Sequence, residues 1–419
     1  MPLPAARVLR PDVAAVLRTH PICSPGRTRR STGSSRVPRL LPGCARERAE
    51  ETSLKKWIVA AVAACAPAWA LSQILVGQTA GFSGPVAAGV KETTDGARLW
   101  IDSVNAKGGV NGQRIELVSL DDKFDPKLAA ANAKVLIEEK NVVAMFLTRG
   151  TPHTEAMLPL LEAHGVPLVA PSTGAMVLHK PVKKYVFNVR ATYQHEAEKA
   201  VLHLHTQGIS RIAVVHADDS FGADALQGAE RGFKKDGFEP VVIVKADRAK
   251  PDFRTIVPAL TAKDAQAVLW IASGNAVSDG VKALRAAGSA AQVVTLSNNA
   301  SSGFIKSLGA DARGVIVTQV FPDERSFAYP FIQEAAGLAK EKKLSLSPAM
   351  LEGYAGAKVL VEALRRAGPS PTRAKIEAAL EGMKKFDIGG MEIHYTPEDH
   401  TGIEFADLSI ISQDGRFLR

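Results

Sequence analysis

The chain reads as an α/β protein built from two doubly wound parallel-sheet lobes. Three observations predict this. Apolar runs of strand length alternate with longer amphipathic helical stretches, as parallel strands covered on both faces require. The strand–helix series stops and restarts near residue 211. At 419 residues the chain is also longer than a single core usually grows, so two lobes are expected.

In order, QILVGQT (73–79) is the first strand, followed by a Gly-rich turn and the helical VAAGVKETTDGARLWIDSVNAKGG. RIELVSLDD is the second strand. DPKLAAANAKVLIEEKN is a helix opening at an Asp N-cap with Pro in its first position. VVAMFLT and TPHTEAMLPLLEAHG repeat the pair, and VPLVAPS is a further strand. The second series runs from RIAVVHADD to SFGADALQGAERGFKKDG, then from EPVVIVKAD to a helix near Phe253–Ala262. AQAVLWIAS with DGVKALRAAG follows, then QVVTLSN and GVIVTQVF.

Charge separates a leader from the body. The chain has 52 Lys and Arg against 43 Asp and Glu, a net of +9. Residues 1–70 hold ten Arg and two Lys against four acids, so the remainder carries 40 basic and 39 acidic groups. The basic balance belongs to the leader and predicts no nucleic-acid partner. Residues 1–53 have no helical or strand period and are expected to be disordered or non-native, either an unused stretch upstream of the true start or a basic arm. Residues 54–70, LKKWIVAAVAACAPAWA, have the charged start, apolar middle and small-x-small end of an export signal. The apolar run from Trp57 to Ala66 is half the roughly twenty residues a membrane span needs. Cleavage after Ala70 and lipidation at Cys65, in Val-Ala-Ala-Cys, remain as alternative fates. Either predicts a periplasmic protein whose folded part lacks cysteine, because Cys23, Cys44 and Cys65 all precede it.

In open parallel sheets ligands sit beyond the C-terminal strand ends. The loops there, Thr79–Pro85, Thr148–Thr154 and Pro171–Ala175, are crowded with hydroxyls and glycines ahead of helices. Free N–H groups and a positive helix end suit a carboxylate. Ser and Thr in such places also serve as ordinary N-caps. No Gly-x-Ser-x-Gly elbow, phosphate loop or dinucleotide fingerprint occurs. His203 and His205 fall on different faces of a helix, which argues against a metal site. Neither catalysis nor a cofactor is expected.

ILVGQTAGFSG, GGVNGQRIELVSLDD, VPLVAPSTGA, YVFNVRATYQHEA, ADDSFGADAL and LEGYAGAKVLVEALRRAG together resemble the leucine/isoleucine/valine-binding family of type I periplasmic binding proteins, in order over nearly all of 72–419. The resemblance implies a bilobal receptor, expected to be a monomer, that captures a small solute and delivers it to the membrane permease of an ABC importer. A ligand-sensing module of a regulator is the alternative. It also implies a three-crossing hinge, placed near Ala191-Thr192, Phe321-Pro322 and Phe386. Lobe one then comprises 72–191 plus 322–385, and lobe two 192–321 plus 386–419, with Asp414-Gly415 as a turn.

Carried over by position, Thr151 with Ser172 and Thr173 would hold the polar head of the ligand. Thr79, Phe82 and Ser83 of the first loop and Tyr193 at the first crossing join them. Phe221 precedes a glycine in lobe two. Ser273, Asn275, Asn298 and Asn299 complete the opposite wall. Amino-acid-binding members place a carboxylate in the loop where this chain has Ser297-Asn298-Asn299, and Gln194 stands where an acid is common. An organic or aromatic acid without an α-ammonium is therefore expected before an amino acid, although Asp218, Asp219 or Glu352 remain as alternative acids for an ammonium. Arg149 is either a carboxylate partner or a solvated loop residue.

Overall fold

A computed structural model describes residues 73–419, so the leader, the export signal and Cys65 lie outside the described residues. The first sheet is formed by β1 (Gln73–Ala80), β2 (Arg114–Asp121), β3 (Ala144–Phe146), β4 (Leu168–Val169) and β5 (Val186–Phe187), all parallel, in the order β2-β1-β3-β4-β5. Its helices are α1 (Ala87–Ala106), α2 (Pro126–Lys134) and α3 (Thr151–His164). As the sequence predicts, Asp125 caps α2 by accepting from the N–H groups of Lys127 and Leu128, with Pro126 in the first turn. A π-helical turn, Val135–Glu139, continues it.

The parallel part of the second sheet is β6 (Ile212–Ala217), β7 (Val242–Ala246), β8 (Ala267–Ile271), β9 (Gln292–Thr295) and β10 (Ile316–Gln319). With β13 (Asp407–Ile411) and β14 (Phe417–Leu418) its order is β14-β13-β10-β9-β8-β6-β7. Helices α4 (Tyr193–Thr206), α5 (Ser220–Asp236), α6 (Phe253–Thr261), α7 (Asn275–Ala286) and α8 (Ser302–Leu308) accompany it. Every residue of β6 and β8 is buried, which explains their uninterrupted apolar sequences.

The chain then returns to the first lobe as α9 (Pro330–Glu341), α10 (Pro348–Arg366) and α11 (Arg373–Glu381). Helices α1 and α10 cross backbone to backbone. A Cβ on Gly353 would lie 1.7 Å from the carbonyl oxygen of Thr93, and one on Gly96 would lie 1.9 Å from that of Met350. Only glycine permits that approach. Tyr354, on the same helix, packs edge-on against Trp100 inside this core.

The small hairpin of β11 (Phe386–Asp387) and β12 (Glu392–Ile393) corrects one expectation. Ile388, Met391, Ile393 and Tyr395 belong to the core of the first lobe, and Tyr395 donates its hydroxyl to the carbonyl of Asn188. The third passage between lobes therefore falls at Ala406–Asp407, not near Phe386. The apolar side of the hairpin is buried on the first lobe before the chain leaves it. Beyond it, β13 (Asp407–Ile411) pairs antiparallel with β10, and β14 (Phe417–Leu418) pairs antiparallel with β13. Gly415, at φ 70°, sits in the turn read at Asp414-Gly415.

A buried polar cluster ties the first passage down. Arg190 pairs with Glu196 and donates to Ser297 Oγ at 2.7 Å. Glu196 also accepts from the N–H of Ser297 (2.9 Å) and from the Thr318 hydroxyl. These charges tolerate burial because each is met by opposite charge and by hydrogen bonds.

Candidate functional site

In both sheets the strand order reverses, at β1/β3 and at β6/β8, and loops beyond those strand ends diverge into a crevice. The two crevices face each other. The cavity between them has about 390 Å3 of empty space, its mouth included, of which about 20 Å3 admits a water. The lobes are thus closed on one another.

From the first lobe comes Arg149, which follows β3. It is 5 % exposed, donates from Nη1 to Ser172 Oγ (3.0 Å), and reaches across with Nη2 to the carbonyl oxygen of Asn298 (2.5 Å). Among the described residues no carboxylate lies within ion-pair distance of it. A buried cation without a counter-charge is costly, and three of its five N–H donors remain beyond those two bonds. Thr151 opens α3 behind Gly150, and its hydroxyl is 2.7 Å from that of Thr173. Ser172 and Thr173 are thus hydrogen-bonded to Arg149 and Thr151. Of the carried-over hydroxyls here, Thr151 lines the cavity itself.

From the second lobe, Tyr193 and Phe221 meet edge to face, ring centres 4.8 Å apart, and line the apolar side. The amides after β9 divide their work. Asn299 is fully engaged: Oδ1 accepts from the N–H of Gly274, and Nδ2 donates to the Ala272 carbonyl and Thr295 Oγ1. Asn298 Nδ2 donates to the Ala272 carbonyl (3.1 Å) and Ser273 Oγ (2.9 Å), while its Oδ1 is buried without a partner. Asn275 is exposed and borders a neighbouring cavity that Arg149 and Asn298 also wall. There Gly274, at φ 53°, presses on the first lobe: a Cβ on it would lie 2.0 Å from the Pro85 carbonyl oxygen.

The first loop is placed elsewhere. Thr79 is buried, donating to Asp122 (3.1 Å) and accepting from Asn132. Ser83 is exposed and donates to Asp121 (2.6 Å), and half-buried Phe82 packs on the small cluster of Ala80, Val86 and Val90, as does Phe124. These three brace the loop and do not line the cavity.

What the sequence reading did not single out is Arg248, after β7. Its guanidinium lies 4.2 Å from the centre of the Phe124 ring, 3.0 Å from His153 Nε2 and 3.5 Å from Asp219. It therefore bridges the lobes and neutralises Asp219, which also caps α5 at Gly222. The strand-end rule reaches the KADRAK loop that holds Arg248, but not its partners ninety-five positions away. Burial first, and Arg248 second, push the His153 imidazole down to about 4, so it is neutral. Burial pushes Asp122 up to about 6. Of the other acids weighed for an ammonium, Asp218 is exposed beside Lys245 (3.1 Å), and Glu352 lies 3.9 Å from Arg190. Among the described residues no group of His, Cys, Asp and Glu is suited to a metal ion, and no helix is long and apolar enough to cross a membrane.

Residues 73–415 match the family model described as periplasmic binding protein. The Leu/Ile/Val-binding protein homolog 7 of Brucella suis is 27 % identical over 328 residues, 74 % of this chain and 80 % of that one. Among solved structures, a substrate-binding periplasmic protein from Ralstonia solanacearum is 32 % identical, with a TM-score of 0.76 over 82 % of this chain and 99 % of that one. An extracellular ligand-binding receptor from Verminephrobacter eiseniae is 28 % identical, with a TM-score of 0.75 over 83 % of this chain and all of that one.

Proposed function

The chain belongs to the type I periplasmic binding proteins of the leucine/isoleucine/valine-binding family, and from that premise we propose that it is the exported receptor of an ABC importer, closing its lobes on a small carboxylate-bearing solute. It binds and releases this solute without chemical change. The permease of the importer reads the closed form, whose population the solute raises through contacts made by both lobes at once.

One observation carries the carboxylate: Arg149 is buried at the cavity wall with no acidic partner among the described residues. An anion there satisfies its free N–H groups and removes the cost of its isolation. An organic or aromatic acid fits before an amino acid, since the cavity walls offer Arg149, Arg248 and a single carboxylate, Asp219, already held by Arg248. Tyr193 and Phe221 supply the apolar face for the body of the acid.

The test is a thermal-shift and calorimetric screen of amino acids against the matched acids lacking nitrogen. At a hundred times its Kd a ligand adds about 2.7 kcal/mol to stability, which shifts the melting curve measurably. In Arg149→Met the affinity for any acid found falls roughly 10- to 100-fold, the range for one charged hydrogen-bonding partner. The unliganded variant melts no lower than wild type, because a lone buried charge has gone. Full affinity retained in that variant would remove the carboxylate from this place.

A further inference from the structure

Asn298, which lines the cavity from the second wall, carries an unmet polar atom. Asn298 is 8 % exposed, and its Oδ1 is buried without a hydrogen-bond partner among the described residues. Its orientation is fixed. Nδ2 donates to the Ala272 carbonyl, so exchanging oxygen and nitrogen would set two acceptors against each other. The free atom is therefore an acceptor, and the group that answers it is a donor.

That acceptor belongs to the residue that Arg149 touches across the cleft. Arg149 touches the backbone carbonyl of the same residue, at 2.5 Å, and the side-chain oxygen is only a few bonds from it. Both residues line the cavity. A solute whose carboxylate meets Arg149 brings the substituent on its neighbouring carbon towards Asn298. An ammonium there would find a neutral amide, since Asp219 is held by Arg248 and by the N-terminus of α5. An oxo group would set acceptor against acceptor. A bare methylene would leave Oδ1 unmet, which costs affinity as any buried unsatisfied acceptor does.

Resting on the carboxylate reading above, we infer that the solute is an α-hydroxy acid, its hydroxyl donating to Asn298 Oδ1 while its carboxylate is held by Arg149. The class thus combines an anionic head, a neutral donor beside it and an apolar body against Tyr193 and Phe221.

The experiment is titration calorimetry of the full chain with two carbon skeletons, each in four forms. One set is isocaproate, α-hydroxyisocaproate, α-ketoisocaproate and leucine. The other is hydrocinnamate, phenyllactate, phenylpyruvate and phenylalanine. In at least one set the hydroxy form binds about tenfold more tightly than the plain acid, with the oxo form weakest of the acids. Methylating the hydroxyl, which keeps the oxygen and removes the donor, erases the gain without any change to the protein. In Asn298→Ala, checked for folding by circular dichroism, the ratio of hydroxy to plain acid falls to within about twofold. A plain or oxo acid binding as well as the hydroxy acid, or an amino acid binding best, overturns this inference and leaves the carboxylate reading standing. Binding of none of the eight, or equal binding of the uncharged amides of these acids, overturns both.

Discussion

The two walls of the cleft are made from the same element, a loop beyond a parallel strand, and they treat charge in opposite ways. The first lobe's wall, after β3, leaves Arg149 buried with no counter-charge among the described residues. The wall of the second lobe pairs its one carboxylate with a cation, Asp219 with Arg248, and among the described residues leaves a neutral amide oxygen, that of Asn298, buried without a partner. On the proposed reading the first wall meets an anion and the second an uncharged donor. Affinity would then come from the lobe that stays unbalanced, and discrimination among acids from the lobe that has balanced itself.

The strongest way to break this comparison is to keep the walls apart. In Gly274→Ala a methyl group would meet the Pro85 carbonyl oxygen, and the residue would have to hold a positive φ. A penalty of about 3 kcal/mol on closure weakens solute binding roughly 100-fold. Small-angle scattering should then show a more extended form in the presence of solute. Wild-type affinity with a compact scattering profile would mean that closure does not require this contact.

A smaller change sharpens the comparison. Arg248→Ala frees the charge of Asp219 in the cavity and makes the second wall acidic. Affinity for acids then falls while that for amino acids rises, a shift of roughly tenfold in their ratio. Calorimetry of leucine and isocaproate side by side reads it, and an unchanged ratio would mean that Asp219 does not act on the solute.

The smallest effect expected is with pH. His153 is held neutral by burial and by the Arg248 it meets across the cleft, with its titration pushed down to about 4. When the lobes separate, Arg248 withdraws and the imidazole regains part of its basicity. The closed form thus binds fewer protons, so closure is favoured as pH rises. Affinity should fall as pH is lowered from about 6.5 towards 4. Asp122, raised to about 6 by burial, contributes the opposite slope to folding stability, which falls as pH climbs from 3.8 to about 6. The solute-binding profile of His153→Gln separates the two: it should be flatter than wild type, and an identical profile would remove His153 from the closure equilibrium.

Much of this architecture is legible in the sequence. The uninterrupted apolar runs of β6 and β8, the Asp125-Pro126 helix start and the glycine turn at 415 follow from local chemistry. The strand-end rule also reaches the loop of Thr151, and the family resemblance those of Ser273 and Asn298, and all three residues line the cavity. The rule could not distinguish a loop that lines the cavity from one that supports it. Thr79 and Ser83 are as rich in hydroxyl as Thr151, yet Asp122 and Asp121 consume them. Nor could it place the third passage at Ala406. The β11–β12 hairpin looks like any polar strand pair until the core of the first lobe claims its apolar side. Arg149 is ambiguous in the sequence, and Arg248 goes unnoticed there, for a related reason. An arginine on a loop is solvated or buried according to what the other lobe brings to it, and that partner is far away in sequence.

The last two strands have a consequence for handling the protein. Strands β13 and β14 close the side of the second sheet that β10 would otherwise end, and they are supplied by the final thirteen residues alone. A protease that nicks the chain ahead of Asp407 would strip off a covering rather than damage the cleft. The bared backbone of β10 would then be a template for the equivalent tail of a second molecule, or for stacking into aggregates. Loss of solubility on storage would thus begin at a place remote from the solute, and a purification tag is safer joined beyond Arg419 through a flexible spacer than set into this hairpin.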